Sequence, residues 1–255
     1  MSNVTLSWFS HLHEVELICQ PANSSELKIE ATKSYGAEIT FVQNAADRLS
    51  KCTEIARNLG ATMIPPFDHR NIILGQGTVM YEFLNQMKEE YQTKLDAVII
   101  PVGGGGLLAG CSTACMNSGT VVFGAEPALA DDCFRGKQCG VRQKLQRTPT
   151  TIADGLRTEV GEVNFPIIQK RVAAIFTVTE QQIAMAMKIV IERLKVVIEP
   201  SAAVAVAVAL FHEDFRKVAE RDGIKNVGIV LEGGNIDTGS YEKMMPWIHL
   251  KDSST

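Results

Sequence analysis

The chain has 255 residues, 25 Lys and Arg against 29 Asp and Glu, a formal net charge of −4 and 45% hydrophobic residues. A surface that tracks nucleic-acid phosphates is basic, so this balance argues against nucleic acid as a partner. No apolar run approaches membrane-spanning length, and the opening "MSNVTLSWFSHL" lacks a basic segment leading into an apolar one, so the expected location is the cytoplasm.

In chain order, strands and helices alternate. "VELICQ" (15–20) reads as a strand. "SSELKIEATKSYGA" (24–37) reads as a helix with a serine cap in front and Gly36 as its stop. "EITFV" (38–42) is a strand, and "NAADRLSKCTEIARNLGA" (44–61) an amphipathic helix ending at Gly60. "IILGQGTVMYEFLNQMKEEY" (72–91) carries apolar residues at helical spacing. "DAVIIPV" (96–102) is a strand, four glycines follow at 103–106, and a helix is expected from Leu107 to about Asn117. "VVFGAE" (121–126) is the next strand, before a less regular region reaching about 162. "AAIFTV" (173–178) is a strand, and Thr179 with Gln182 forms a capping box for "EQQIAMAMKIVIERLK" (180–195). Pro200 starts an Ala/Val-rich helix, and "NVGIVLE" (226–232) is a final buried strand. This alternation predicts an α/β fold of mostly parallel sheets with flanking helices.

The six cysteines are scattered, as reduced thiols are, and do not form a disulfide framework. Cys111 and Cys115 stand one helical turn apart and could share a metal. No His or Cys pair nearby completes the set, so they are expected to pack as small apolar residues.

Glycine is the costliest residue to order, so four in a row between a β-forming strand and a helix need a reason. At the carboxyl end of a parallel strand, such a loop exposes consecutive N–H groups and the positive end of the next helix, which suits a phosphate. Gly103, Gly104, Gly105 and Gly106 are so placed. The spacing Gly104-x-Gly106-x-x-Ala109 also satisfies a degenerate dinucleotide fingerprint, with Glu126 twenty residues on as a ribose acid, and a nicotinamide-dependent dehydrogenase is the rival reading.

Seven stretches in order separate these readings: "GQGTVMYEFLNQ" (75–86), "VIIPVGGGGLLAG" (98–110), "GAEPALADDC" (124–133), "TIADGL" (151–156), "IFTVTEQQI" (175–183), "IEPSAAVAVA" (198–207) and "VLEGGNID" (230–237). Together they resemble the serine racemases and serine/threonine dehydratases, pyridoxal-phosphate enzymes of the tryptophan-synthase-β type (fold type II). The resemblance covers roughly residues 13 to 240. It implies two lobes, a smaller α/β domain over 1–70 and a larger one over 71–255.

The resemblance carries over Gly103, Gly104, Gly105, Gly106 and the backbone of Leu107 as ligands of the pyridoxal 5'-phosphate phosphate. It makes Glu126, Ala130 and Asp132 a divalent-cation site for Mg²⁺ or Ca²⁺, through two carboxylates and a carbonyl. A loop of solvated carboxylates is the alternative there. Glu199 and Asp154 border the active-site side in relatives. Tyr35 and Lys28 match a region where serine racemases bind a regulatory nucleotide. The implied chemistry starts with removal of the α-proton of a small hydroxy-amino acid such as serine or threonine. Loss of the β-hydroxyl then gives a 2-oxo acid and ammonia (an ammonia-lyase), and reprotonation on the opposite face gives racemisation.

Two departures stand out. The family's catalytic lysine, in a Ser-x-Lys-x-Arg-Gly segment, and its substrate-carboxylate loop have no counterpart in these residues. The expectation is an N-terminally truncated chain of very low ordinary activity, either an incomplete form of an active enzyme or a pseudoenzyme. An uncovered sheet edge would favour association with another chain, a full-length relative or a second copy. In addition, Glu232 stands where the family has a serine facing the cofactor's pyridine nitrogen, and a carboxylate there would hold a pyridinium.

Overall fold

The computed structural model describes residues 17–22, 24–43, 47–236 and 239. Residues 15–16 of the first expected strand and 44–46 of the second expected helix lie outside the described residues. The chain divides into two compact units between Pro66 and Phe67. No helix among the described residues is long and apolar enough to cross a membrane.

The smaller unit is a β-α-β-α arrangement. Strand β1 (Leu17–Pro21) pairs in parallel with β2 (Glu38–Val42), Leu17 lying opposite Glu38 and Pro21 opposite Val42. Helix α1 (Glu26–Ser34) connects them. The expected serine cap does not form, because Ser25 makes no side-chain cap bond. The backbone serves that turn, with Ile29 N–H donating to Ser25 O at 3.1 Å, and Glu26 sets a negative charge at the positive end of the helix. Helix α2 (Arg48–Leu59) stops at Gly60, whose φ of +64° is the left-handed cap expected of it.

The larger unit is built on four parallel strands: β3 (Ala97–Pro101), β4 (Val121–Pro127), β5 (Ala174–Val178) and β6 (Val227–Ile229), in the order β5-β4-β3-β6. Every residue of β3 is buried, which is why its sequence is a near-continuous apolar run. Alternate side chains serve opposite faces. Ala97 and Ile99 join Phe123, Phe176, Ile183 and Met187 on one side, while Val98 and Ile100 join Ile73, Met80, Leu108 and Ile168 on the other. The first cluster holds three phenylalanine rings: Phe123 lies 5.6 Å from both Phe176 and Phe215, the latter edge-on.

Helices α3 (Arg70–Glu89), α4 (Gly106–Ala114) and α6 (Asn164–Arg171) contribute to the second cluster, and α7 (Glu180–Ile189) and α8 (Pro200–Phe211) to the first. Helix α8 buries every residue from Pro200 to Val208, as an Ala/Val-rich helix without a polar face must. The capping box forms as expected: Gln182 N–H donates to Thr179 Oγ1 at 3.3 Å, and Thr179 N–H to Gln182 Oε1 at 2.9 Å.

The region expected to be irregular up to about 162 contains helix α5 (Asp132–Cys139), and α6 and α9 (Glu213–Asp222) likewise go beyond the elements expected from the sequence. All three are only 8 to 10 residues long, too short for a sustained helical stripe to announce them. The helix expected over 180–195 ends at Ile189 and passes into a π turn over Val190–Leu194, closed by Lys195 at φ 59°. The helix after the glycines stops at Ala114 rather than near Asn117, and the last strand is shorter than expected at Val227–Ile229.

Candidate functional site

The glycine loop leaves the carboxyl end of β3. Val102 N–H still donates to Ala125 O at 2.9 Å, so the ladder persists to the first glycine. Gly105 is the N-cap of α4 at φ +84°, a left-handed conformation that a Cβ disfavours. Gly104 packs so tightly under Phe67 that a Cβ there would collide with the ring. A larger residue is strained at Gly105 and excluded by the Phe67 ring at Gly104.

The loop carbonyl is tied down while its N–H groups are not. Gly104 O accepts from Gly161 N–H at 3.0 Å and from Asn164 Nδ2 at 2.7 Å. Among the described residues, no N–H from Gly103 to Leu107 donates to a protein acceptor. The first-turn N–H groups of a helix have no intrahelical partner, so this is an array of oriented donors at a positive helix end. Its chemistry fits the phosphate of pyridoxal phosphate.

Gly103 packs on the short 3₁₀ turn Asp154–Leu156, a Cβ there standing 3.1 Å from Gly155 O. Gly155 N–H donates to Ser201 Oγ at 3.0 Å, which anchors that turn to the start of α8. Glu199, the N-cap of α8, makes no side-chain cap bond to its own helix. Its backbone N–H donates to Gly233 O at 3.2 Å, and a Cβ at Gly233 would stand 2.6 Å from the Glu199 carboxyl carbon. Asp154, Glu199 and Glu232 are thereby gathered near the loop through Gly155, Ser201 and Gly233. Burial first, and then the like charge of Glu199, push the half-buried Glu232 carboxyl up to about 7. The Cys111 thiol is pushed up to about 12 by burial, then by Cys115 and Glu232. Cys111 and Cys115 are both buried, packed in the core as expected.

Glu126 and Asp132 are not solvated, being 1% and 2% exposed. Both Glu126 oxygens accept from the first turn of α5, Oε1 from Cys133 N–H at 3.0 Å and Oε2 from Phe134 N–H at 2.8 Å. A carboxylate buried in this way against α5 is not open to a ribose, and nothing in the site favours the dehydrogenase reading. Asp132 Oδ2 accepts from Val160 N–H at 2.9 Å. Burial, and then Asp132, raise the Glu126 carboxyl well above its ordinary range, and Asp132 rises to about 6, mainly by burial. Two buried carboxylates with raised proton affinity want a cation, and two carboxylates with the Ala130 carbonyl are hard donors of the right kind. Among the described residues no three His, Cys, Asp or Glu side chains cluster, so protein carboxylates alone would not complete a coordination sphere.

Tyr35 and Lys28 belong to the smaller unit, Tyr35 58% exposed and Lys28 buried. Sequence reasoning missed Phe67, Asp68, Gly161 and Asn164. The Asp68 carboxylate accepts from three N–H groups at the start of α6: Glu162 and Val163 at 2.9 Å and Asn164 at 3.2 Å. Asn164 Nδ2 also reaches Phe67 O at 3.3 Å. A helix-capping acid is ordinarily local; this one lies 94 positions before its first partner, where no capping pattern would find it.

A family model described as pyridoxal-phosphate dependent enzyme matches residues 6–233. The serine racemase of Dictyostelium discoideum is 41% identical over 229 residues, covering 88% of this chain and 68% of that protein. The L-threo-3-hydroxyaspartate ammonia-lyase of Saccharomyces cerevisiae is 38% identical over 232 residues, covering 89% of this chain and 68% of that protein. The crystal structure of a T.th. threonine deaminase matches with a TM-score of 0.81 at 34% identity, over 91% of this chain and 74% of that one. The chain thus spans about two thirds of the length of the two sequence relatives.

Proposed function

Because the chain belongs to the pyridoxal-phosphate-dependent enzymes, and among them to the serine racemase and dehydratase group, we propose that its glycine loop is the cofactor-phosphate cradle of an enzyme acting on serine- or threonine-like amino acids. The observation that carries this reading is the row of unpartnered N–H groups from Gly103 to Leu107 at the start of α4. When bound, the cofactor's ring takes up the electron pair left at the amino acid's α-carbon. The residues of this chain bind and orient it: the loop N–H groups would donate hydrogen bonds to the phosphate, and the buried Leu108 and Ala109 behind them keep water from that side.

Glu232 would pair a carboxylate with a protonated ring nitrogen, which the family's usual hydroxyl, too weak an acid to ionise, cannot do; burial and then Glu199 raise its carboxyl to about 7, so a cationic partner there would relieve its ionisation. Asp154 and Glu199 are assigned to the rim of the same site. For these residues the proposal is non-covalent retention of the cofactor through its phosphate.

Titration with pyridoxal phosphate, followed by borohydride reduction and tryptic mass spectrometry, tests this. Saturable binding that inorganic phosphate competes away, without a stoichiometric adduct on one lysine, is the expected result. Absence of saturable binding would sink the reading. A unique lysine adduct would keep the cradle but replace the non-covalent description.

Glu126, Asp132 and the Ala130 carbonyl are proposed to hold Mg²⁺ or Ca²⁺, with water supplying the remaining ligands. A ligand at about 100 times its dissociation constant stabilises the folded state by about 2.7 kcal/mol, a shift of several degrees in the unfolding midpoint. Calcium is expected to raise the midpoint in the unmodified chain and not in Asp132→Asn. An equal shift in both would show the cation to be bound elsewhere.

A further inference from the structure

Four successive glycines carry more conformational freedom than any other tetrad, and nothing in their own side chains can aim their N–H groups. The aim has to come from outside the loop. We infer that Asn164 and Asp68 are positioning residues that set the loop's donors for an anion; the inference rests on the reading of the loop as a phosphate cradle and adds residues that the resemblance did not carry over.

One peptide plane sets the direction of the donors. In a trans peptide the C=O of one residue and the N–H of the next point in opposite directions, and the described chain has no cis peptide. Gly104 O is held by Gly161 N–H at 3.0 Å and Asn164 Nδ2 at 2.7 Å. With the carbonyl pinned to that side, the Gly105 N–H is turned to the other, and the plane cannot flip to present an oxygen to an anion. Only a side chain with donors and the right reach can do this from position 164. The Asn164 amide spans two carbonyls, Gly104 O and Phe67 O, and is fully buried. Its Oδ1 has no hydrogen-bond partner among the described residues, a cost accepted for placing the amide nitrogen between both carbonyls.

Asp68 supplies the second half of the device. Its carboxylate gathers the N–H groups of Glu162, Val163 and Asn164, which fixes the backbone that presents the Asn164 amide. The fit is close enough that a Cβ at Gly161 would collide with the Asp68 carboxylate. Phe67, the neighbour of Asp68, lies against Gly104 and Gly106, so the same two residues brace the loop sterically and hold its brace electrostatically.

Asn164→Asp keeps the shape and removes the donors, placing a carboxylate against two carbonyl oxygens. It is expected to weaken pyridoxal phosphate binding at least about tenfold, the equivalent of about 1.4 kcal/mol, while binding of pyridoxal, which lacks the phosphate, stays unchanged. Inorganic phosphate should likewise lose its ability to shift the Gly105 amide resonance. Asp68→Asn is expected to act in the same direction with a smaller loss, and it decides the matter if Asn164→Asp does not fold. Equal losses for pyridoxal phosphate and pyridoxal would reveal a general structural role and overturn the inference. So would undiminished pyridoxal phosphate binding by a folded variant. Failure of the unmodified chain to bind pyridoxal phosphate would instead overturn the cradle itself, a distinguishable result.

Discussion

Gly104→Ala is expected to abolish tight pyridoxal phosphate binding and to lower stability by about 1–3 kcal/mol, the usual cost of overpacking. The added methyl would overlap three atoms of the Phe67 ring, a rigid group whose backbone carbonyl is itself engaged by Asn164. The ring cannot move without disturbing Asp68 next to it, so the strain is passed to the loop and displaces the N–H donors. Chemical denaturation and cofactor titration measure the two effects separately. Because the conflict is steric, truncating the ring should relieve it, and Phe67→Ala combined with Gly104→Ala should bind better than Gly104→Ala alone. Unchanged cofactor affinity in Gly104→Ala would remove the loop from the binding site.

Glu232→Ser is expected to change the pH dependence of stability. Below about pH 4.5 the Glu232 carboxyl is protonated in both folded and unfolded chains and makes no difference between them. Above that, the unfolded chain ionises first while the folded chain keeps its proton, so stability falls with rising pH until the folded group ionises at about 7. A rise from 4.5 to about 7 corresponds to a loss of about 3 kcal/mol, complete above neutrality. The serine variant removes that loss and relieves the neighbouring Glu199 of a like charge. Its unfolding midpoint should match the unmodified chain near pH 4 and exceed it by several degrees at pH 8. Parallel midpoint curves at all pH values would mean that Glu232 ionises normally in the fold. The charge has a functional counterpart: a carboxyl costly to ionise without cofactor is suited to sharing its proton with a basic ring nitrogen, as proposed for this position.

The buried carboxylate pair and the brace of the glycine loop meet in one segment. Val160 is held by Asp132, Gly161 by the Gly104 carbonyl, and residues 162–164 by Asp68. Five consecutive residues thus touch the acidic pair at one end and the brace of the glycine loop at the other. The sequence singles out none of them, since "VGEVN" carries no pattern that distinguishes it from any surface loop.

The sequence by itself determined the parallel α/β architecture, the position of the glycine loop and the family. Each of these is written in local chemistry: β-branched runs such as "AVIIP", helical spacing in α3, a capping box at Thr179 and Gln182, and motifs in a set order. It also marked Glu232 as a departure, since a substitution inside a motif is visible without coordinates. Tertiary structure alone decided that Glu126 and Asp132 are buried, that Glu126 caps α5, and that Asp68 and Asn164 hold the loop. The short helices α5 and α6 were illegible for a related reason, because the acids that serve their first turns, Glu126 and Asp68, come from other elements. The physical difference is one of range. Propensity and periodicity act within a few residues, whereas the partner of a buried polar group is whichever donor or acceptor packing brings beside it, 97 positions away for Asn164 and Phe67.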